Sequence, residues 1–132
     1  MKFKDQKGAA LVEFALILPV LLLILLGIIE FGIILFDKAI ITNASREAAR
    51  EKTVFSAPSE SDIKNKIVSL YGGLPITFGN DTLTATDISF TSATETTGTY
   101  WTASVNFRYD FLYIPISPLN LTSTTTMRQE GD

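Results

Sequence analysis

The chain has 132 residues, a formal net charge of −3, and neither cysteine nor histidine. This length suffices for one small domain and one long helix, and the mild charge offers no basic surface of the kind that binds nucleic acid. The two missing residue types remove disulfides, thiolate nucleophiles, the commonest general base and the commonest metal ligand. We therefore expect no enzyme, no cofactor, no metal site and no small-molecule substrate.

The first predicted element is a helix that crosses a membrane. No charged residue occurs from Phe14 to Ile29, and the apolar stretch extends from Ala9 to Phe36. About 20 apolar residues, each rising 1.5 Å, span the roughly 30 Å hydrocarbon core of a bilayer. The stretch has no polar face, and the remaining chain is too small to surround it as a core helix. The pattern predicts a transmembrane helix over residues 9–36.

The charges on either side of this helix predict its orientation. Three lysines and one aspartate precede Gly8, whereas Asp37 and Lys38 follow the helix and cancel. Because positive flanks stay in the cytoplasm, we expect a single-pass protein with a cytoplasmic N-terminus and an outward C-terminal part. A cleaved secretory signal is a poor alternative, since the apolar run is too long and no small-residue cleavage site closes it before Asp37.

A carboxylate lies within the apolar stretch, soon after a glycine that follows the basic leader. Placed at mid-bilayer, such a group costs about 2.5–3.5 kcal/mol to insert, so its presence calls for a reason. Glu13 is only about one helical turn beyond Gly8, close to the cytoplasmic interface, which lowers the cost. The plain alternative is an interfacial carboxylate without a partner.

The residues around this junction resemble a known family. The stretch KGAALVEF, Lys7 to Phe14, is similar to the prepilin-peptidase site of type IV-like prepilins. The longer run, with Pro19, GIIEFG at 27–32 and ASREAAR at 44–50, resembles the TadE-like pseudopilins of bacterial tight-adherence (Flp pilus) secretion systems. The resemblance is specific over about the first 50 residues and continues weakly in 121–128.

The resemblance implies a processing step and a role in assembly. A membrane aspartyl peptidase would remove residues 1–8 by cutting between Gly8 and Ala9, so that Glu13 becomes the fifth residue of the mature chain. The new α-amino group would carry a charge in a low-dielectric setting, where an unpaired charge is costly. The Glu13 carboxylate of an adjacent subunit could neutralise it and set the stagger between helices. The implied partners are prepilin peptidase, other pilin or pseudopilin subunits, the inner-membrane assembly platform and membrane lipid.

Two further residues of the apolar helix are candidates for packing or contact. Pro19 removes the hydrogen bond to the carbonyl of Ala15 and predicts a kink, either used in packing or merely tolerated. Glu30 lies about 32 Å along the helix from Ala9 and so reaches the far interface. There a solvated glutamate is favoured over a dedicated contact with a neighbouring subunit.

The helical pattern continues beyond the membrane to about Lys52 and predicts a stalk helix and linker over 37–57, with room for a break near Asp37. Arg46 and Arg50 share one face of the stalk. A solvated face that pairs with its own glutamates is favoured. The alternative is that both arginines hold a carboxylate on the outward domain or on an adjacent subunit.

Residues 58–132 are predicted to form a small outward α+β domain. A short helix begins at Ser59 or Ser61 and ends at Tyr71, before Gly72-Gly73. Three strands are expected at 82–90, with an irregularity near Asp87, at 100–111 and at 119–128. Pro115 and Pro118 mark the connection before the last strand. The economical fold is an antiparallel sheet of about three strands packed on the upper stalk.

The middle strand has the clearest alternation of apolar and polar residues. Trp101, Val105 and Phe107 lie on its apolar face and are predicted to belong to the domain core rather than to a ligand site.

Two functions fit these features. The favoured one is a minor pilin or pseudopilin that supports assembly of a Flp-type pilus at the bacterial inner membrane, and that can enter an extracellular pilus. The alternative is a permanently anchored single-pass protein whose outward domain binds a partner, which would have no use for the junction between Gly8 and Glu13.

Overall fold

The computed structural model describes the backbone of residues 3–54, 56–79, 81–113 and 116–131, and the side chains of these ranges from Gly8 onward. A long helix α1 and a short helix α2 precede a three-stranded antiparallel sheet in the order β1-β2-β3. The predicted α+β fold is confirmed. The element bounds are α1 Phe3–Thr53, α2 Glu60–Tyr71, β1 Ile88–Glu95, β2 Gly98–Tyr109 and β3 Leu119–Arg128.

Helix α1 runs without interruption for 51 residues. It continues through Pro19, whose ring nitrogen cannot donate to the carbonyl of Ala15. The break allowed for near Asp37 does not occur, because Asp37 is buried against the domain and the helical hydrogen bonds continue past it. The helix ends at Thr53, one residue beyond the predicted end.

Helix α2 begins at the first of the two predicted serines. Ser59 is the N-cap: its Oγ accepts from the amide of Asp62 at 3.2 Å and donates to the Asp62 carboxylate at 2.6 Å. Gly72 ends the helix by donating to the carbonyl of Val68 at 2.8 Å. A Cβ at Gly72 would lie 2.5 Å from that carbonyl oxygen and 3.1 Å from the carbonyl oxygen of Leu83, so only glycine fits there.

The first strand differs from its prediction. In place of a strand over 82–90, a 3-10 turn occupies Ala85–Asp87 and β1 covers Ile88–Glu95. The Asp87 carboxylate accepts from the amide and the hydroxyl of Thr84, at 2.7 and 2.6 Å, and so closes the turn near which an irregularity was expected. The later half of β1 is polar and exposed, and its pairing with β2 carries no signal in its own sequence.

Strand β2 is the centre of the sheet and supplies much of its buried face. Ala103, Val105, Phe107 and Tyr109 alternate with exposed or half-buried residues and are each at most 3% exposed. Trp101 was predicted to lie in the core with them, but it is only half-buried, because it lies where the sheet reaches the end of α1. The strand begins and ends two residues earlier than predicted.

The third strand is confirmed at Leu119–Arg128, where it pairs with β2 from Tyr109 to Tyr100. Of the two prolines predicted to mark the connection before it, Pro118 immediately precedes the strand, whereas Pro115 lies outside the described residues.

The sheet lies lengthwise along the second half of α1. A stripe of buried residues at helical spacing faces it: Glu30, Asp37, Ile41, Ala44, Ser45, Ala48 and Ala49. Strand β2 runs antiparallel to the helix, since Tyr109 contacts Glu30 whereas Trp101 contacts Lys52. We call the Glu30 end of the domain its lower end and the Thr53 end its upper end.

Candidate functional site

The first half of α1 is an apolar rod that the rest of the chain leaves uncovered. Large apolar side chains between Leu11 and Ile29 are exposed, among them Leu16 at 73% and Leu23 at 68%. By length and composition the helix could cross a membrane, with a mean hydropathy of 2.9 in its most apolar window and none of that window buried. Residues 9–29 rise about 31 Å, which matches the hydrocarbon thickness of a bilayer.

The predicted cleavage junction lies in the uncovered part of this helix. Gly8, Ala9 and Glu13 are all helical and exposed. A Cβ at Gly8 would meet no atom within 4 Å, so nothing in the fold of this chain requires a glycine there. A helical glycine costs about 1 kcal/mol relative to alanine. No contact among the described residues therefore explains why position 8 is a glycine.

Glu30 joins the lower end of the domain to the helix. Its Oε1 accepts from the Tyr109 hydroxyl at 2.5 Å and from the amide of Leu112 at 2.8 Å. Its Oε2 accepts from the amide of Tyr113 at 2.9 Å. The sequence favoured a solvated interfacial glutamate, which is wrong: Glu30 is 2% exposed and its contacts are with the end of β2 and the segment after it.

The Tyr109 hydroxyl is held as a donor in this contact. Burial, followed by the hydrogen bond to the Glu30 carboxylate and the charges of Glu30 and Asp37, raises the pKa of Tyr109. The hydroxyl therefore keeps its proton throughout the physiological range. Together with the two backbone amides, it stabilises the buried carboxylate by charge-assisted hydrogen bonds.

Asp37 lies two turns above Glu30 on the same face. Its Oδ1 accepts from the amide of Ile76 at 2.8 Å and so holds the segment after α2 against the helix. Its Oδ2 is buried and has no hydrogen-bond partner among the described residues. Burial raises the pKa of Asp37, although the Ile76 amide partly offsets this effect.

A polar contact joins the middle of the helix to β3. The Ser45 hydroxyl lies 3.2 Å from that of Ser123 and 2.9 Å from that of Thr125. Ala44 and Ala48 beside it are fully buried, and their small side chains let the sheet approach the helix closely. The Thr-rich last strand is therefore matched to a small, hydroxyl-bearing face of the stalk.

The upper end is closed by a cation over an aromatic ring. The Lys52 Nζ lies 4.3 Å from the centroid of the Trp101 ring, and the indole Nε1 donates to the Gln129 side chain at 3.1 Å. The amide of Glu130 donates to the Thr53 carbonyl at 2.8 Å. Trp101 thus joins the end of α1 to the segment after β3 and does not fill the core.

The arginines of the stalk do not contact the sheet. Arg46 is exposed. Arg50 is 68% exposed, and its Nε lies 3.4 Å from Glu47 Oε2 on the same helix. The second glutamate, Glu51, is 4.0 Å from Arg50 and 2.7 Å from Lys66 of α2. The structure therefore pairs Arg50 with glutamates of its own helix, and the contact of either arginine with an adjacent subunit stays a prediction.

A shallow cleft of about 270 Å³ lies between the 3-10 turn and β2, lined by Asp81, Thr82, Thr84, Asp87, Phe107 and Arg108. Its charged groups already have partners within the chain. Arg108 lies 3.8 Å from Asp81 and 3.4 Å from Asp110, and Asp87 caps the neighbouring turn.

Sequence reasoning missed Asp37 and Tyr109 as contact residues. A usable signal was present, since Glu30 and Asp37 are seven residues apart and fall on the same helical face as Ile41, Ala44 and Ala48. Two carboxylates on the face that a domain covers predict buried acceptors. Their donors come from loop amides and from the last residue of β2, which only the folded chain brings there.

Comparisons with known proteins show a family similarity in the N-terminal part of the chain. Residues 8–50 match the model of a family described as TadE-like protein. The match begins at Gly8, includes α1 as far as Arg50, and ends before α2 and the sheet. No curated protein and no solved structure gives a match. The similarity to the TadE-like family is therefore confined to residues 8–50, about a third of the chain.

Proposed function

We propose that this chain is a minor pilin or pseudopilin, a structural subunit that serves assembly of a Flp-type pilus and is processed by prepilin peptidase. The observation that carries the proposal is the junction at the start of the family match. There a glycine that the fold does not need precedes an exposed glutamate by about one helical turn. Both residues are exposed and lie in the part of α1 that the domain leaves uncovered, so we infer that their partners are other molecules.

Cleavage between Gly8 and Ala9 explains both the glycine at the junction and the carboxylate of Glu13. The cut creates an α-amino group on Ala9, and the Glu13 carboxylate of an adjacent subunit neutralises it within the membrane. The apolar side chains around Glu13 make an unpaired charge costly, so the pair favours association of helices. The exposed apolar surface of α1 then contacts lipid in the monomer and neighbouring helices in an assembly.

The charge distribution supports an orientation with the N-terminus in the cytoplasm and the domain outside the inner membrane. The role is structural rather than enzymatic. Its partners are prepilin peptidase, other pilin or pseudopilin subunits and the inner-membrane assembly platform. The outward domain beyond Thr53 is large for a main pilin of this system, which favours a minor subunit.

The processing step is tested by mass spectrometry of the chain purified from cells with and without prepilin peptidase. We expect a mature terminus at Ala9 only when the peptidase is present. Gly8→Leu should retain the leader, whereas Gly27→Leu, a matched change at another helical glycine with open space around it, should be cleaved normally. A wild-type chain that keeps residues 1–8 in assembled material would refute the proposal.

The variant Glu13→Val distinguishes this proposal from the alternative, a permanently anchored protein whose outward domain binds a partner. Under the proposal, the variant inserts at least as well as the parent, because a charge has left the membrane segment, but it fails to enter assemblies. Glu13→Asp keeps the charge and should retain part of the function. Normal assembly of the valine variant would favour the permanently anchored protein.

A further inference from the structure

Exposed apolar side chains of the outward domain are concentrated at its lower end. Five of them form what we call the collar, with exposed fractions between 40% and 67%: Ile76, Phe78, Tyr113, Ile116 and Leu119. Other exposed large apolar residues described outside α1 are Val54, Leu70 and Leu74. Isolated exposed apolar residues are ordinary on a protein surface, but a group at one end of a domain is not.

Hydrogen bonds fix the height of the collar on the helix. The amides of Tyr113 and Ile76 donate to Glu30 and Asp37. The amide of Phe78 donates to the Asp110 carbonyl at 3.5 Å, next to β2's last residue. Leu119 pairs with Tyr109, and Ile116 lies in the short connection between Tyr113 and Leu119. The collar therefore lies between the levels of Glu30 and Asp37, an interval of about 10 Å along the helix.

The helix completes the apolar surface at this height. Phe31, Leu35 and Phe36 lie on the side of α1 that the domain leaves open and are 61%, 54% and 49% exposed. The collar and these three side chains surround the helix on both sides directly above the uncovered rod of residues 9–29. The apolar surface of the rod thus continues without a gap onto the domain.

We propose that the collar is a lipid-contacting surface, which seats the lower end of the domain in the outer interfacial layer of the membrane that α1 crosses. An interval of about 10 Å matches the depth to which apolar faces enter the boundary between headgroups and acyl chains. Tyr113 suits that boundary, where its apolar ring and its polar hydroxyl both find partners. Phe78 adds an apolar ring of the kind that interfacial faces bury. The collar also shields the buried Glu30 and Asp37, which lie at the same level.

The upper end of the domain shows the opposite character. The hairpin between β1 and β2 is built from threonine, serine and glutamate, and its exposed residues from Thr94 to Thr97 carry no large apolar group. The amides of Gln129 and Glu130 join Thr99 to the level of Thr53, which is about 35 Å above Glu30. The proposal rests on insertion of α1 in a membrane and does not require pilus assembly.

The absence of cysteine from the sequence permits a direct test with single labels. We would introduce Phe78→Cys and Ile116→Cys in the collar, Thr94→Cys in the upper hairpin and Leu18→Cys in the rod. Each full-length variant is labelled with an environment-sensitive fluorophore. It is then reconstituted at low protein-to-lipid ratio in vesicles of phosphatidylethanolamine and phosphatidylglycerol that carry spin-labelled lipid, either shallow or deep.

The proposal predicts strong quenching of both collar labels by shallow spin labels, quenching of the Leu18 label by deep ones, and neither for Thr94. Adding Phe78→Asp and Ile116→Asp to an Ile76→Cys variant should abolish shallow quenching while a Leu18 label in the same background stays quenched. Collar labels that behave like Thr94, with Leu18 quenched, would overturn the collar alone. An unquenched Leu18 label would overturn membrane insertion itself. Collar labels whose emission indicates an apolar environment, but which the spin labels do not quench, would show that protein covers the collar instead of lipid.

Discussion

The contact between Glu30 and Tyr109 gives the most direct test of how the domain is held to its anchor. Tyr109→Phe removes one of the three donors to the Glu30 carboxylate and leaves the buried ring in place. Tyr109 is 1% exposed, so no water replaces the lost hydroxyl without rearrangement. A hydrogen bond to a charged group contributes about 1.5–3 kcal/mol, and we expect the free energy of unfolding of the domain to fall by that amount.

Glu30→Ala should cost more than Tyr109→Phe. It leaves the hydroxyl of Tyr109 and the amides of Leu112 and Tyr113 without their acceptor, and each buried donor left unsatisfied costs about 1–3 kcal/mol. Because the segment after β2 can move to meet water, we expect a loss near the lower end of the summed range. We also expect faster amide hydrogen exchange at Leu112 and Tyr113 in this variant.

The assay is urea unfolding of the full-length chain in detergent micelles, followed by the fluorescence of its single tryptophan, Trp101. This residue lies at the opposite end of the domain from Glu30, so it reports cooperative unfolding rather than the local change. Tyr100→Phe is the matched control, because its hydroxyl lies 3.0 Å from Thr97 Oγ1 at an exposed site. The control should change stability by less than about 0.5 kcal/mol. Equal losses of stability for the two Phe variants would refute the assignment of Glu30 as the residue that holds the lower end of the domain to the helix.

Three further predictions concern other contacts of the stalk. Trp101→Ala should lower the free energy of unfolding by about 2 kcal/mol, because it removes the Lys52 contact and one hydrogen bond. Phe107→Ala should lower it by about 3–5 kcal/mol, because it empties a buried site. Equal losses for the two variants in thermal unfolding would contradict the half-buried position of Trp101. Arg46→Lys with Arg50→Lys should leave stability and assembly unchanged, and reduced recovery in the pilus fraction would instead indicate that the guanidinium groups bind another subunit. Burial raises the pKa of Asp37, so its carboxyl favours the folded state below its unfolded pKa, and this contribution is lost as pH rises through the folded value. As pH rises from acidic to neutral, the free energy of unfolding of Asp37→Asn, measured with urea, should therefore increase relative to that of the parent. A difference between the two free energies that stays constant across this range would contradict an uncompensated buried carboxylate.

The sequence by itself determined the elements whose signals are local. An uncharged run from Phe14 to Ile29 specifies a helix in an apolar solvent whatever the domain does, because a single segment can satisfy its own backbone groups in lipid only as a helix. Ser59 and Asp62 specify the start of α2 because a cap is formed within four residues. The alternation in β2 specified which side chains of Ala103 to Tyr109 face the core, since the period of a strand is two.

Contacts distant along the chain were decided only by the tertiary structure. The exposed half of β1 has no apolar alternation, and it became a strand because β2 offered a free edge to pair with. The burial of Glu30 could not be read from its position near an interface, because its donors lie 79 to 83 residues further along the chain. The collar arises in the same way: its five side chains come from two separate loops and the start of β3. Hydrogen bonds to the carboxylates of α1, together with contacts to the end of β2, bring those segments to one height. Local patterns report what a residue needs from its solvent and its neighbours in sequence, whereas the identity of a distant partner is set by how the whole chain packs.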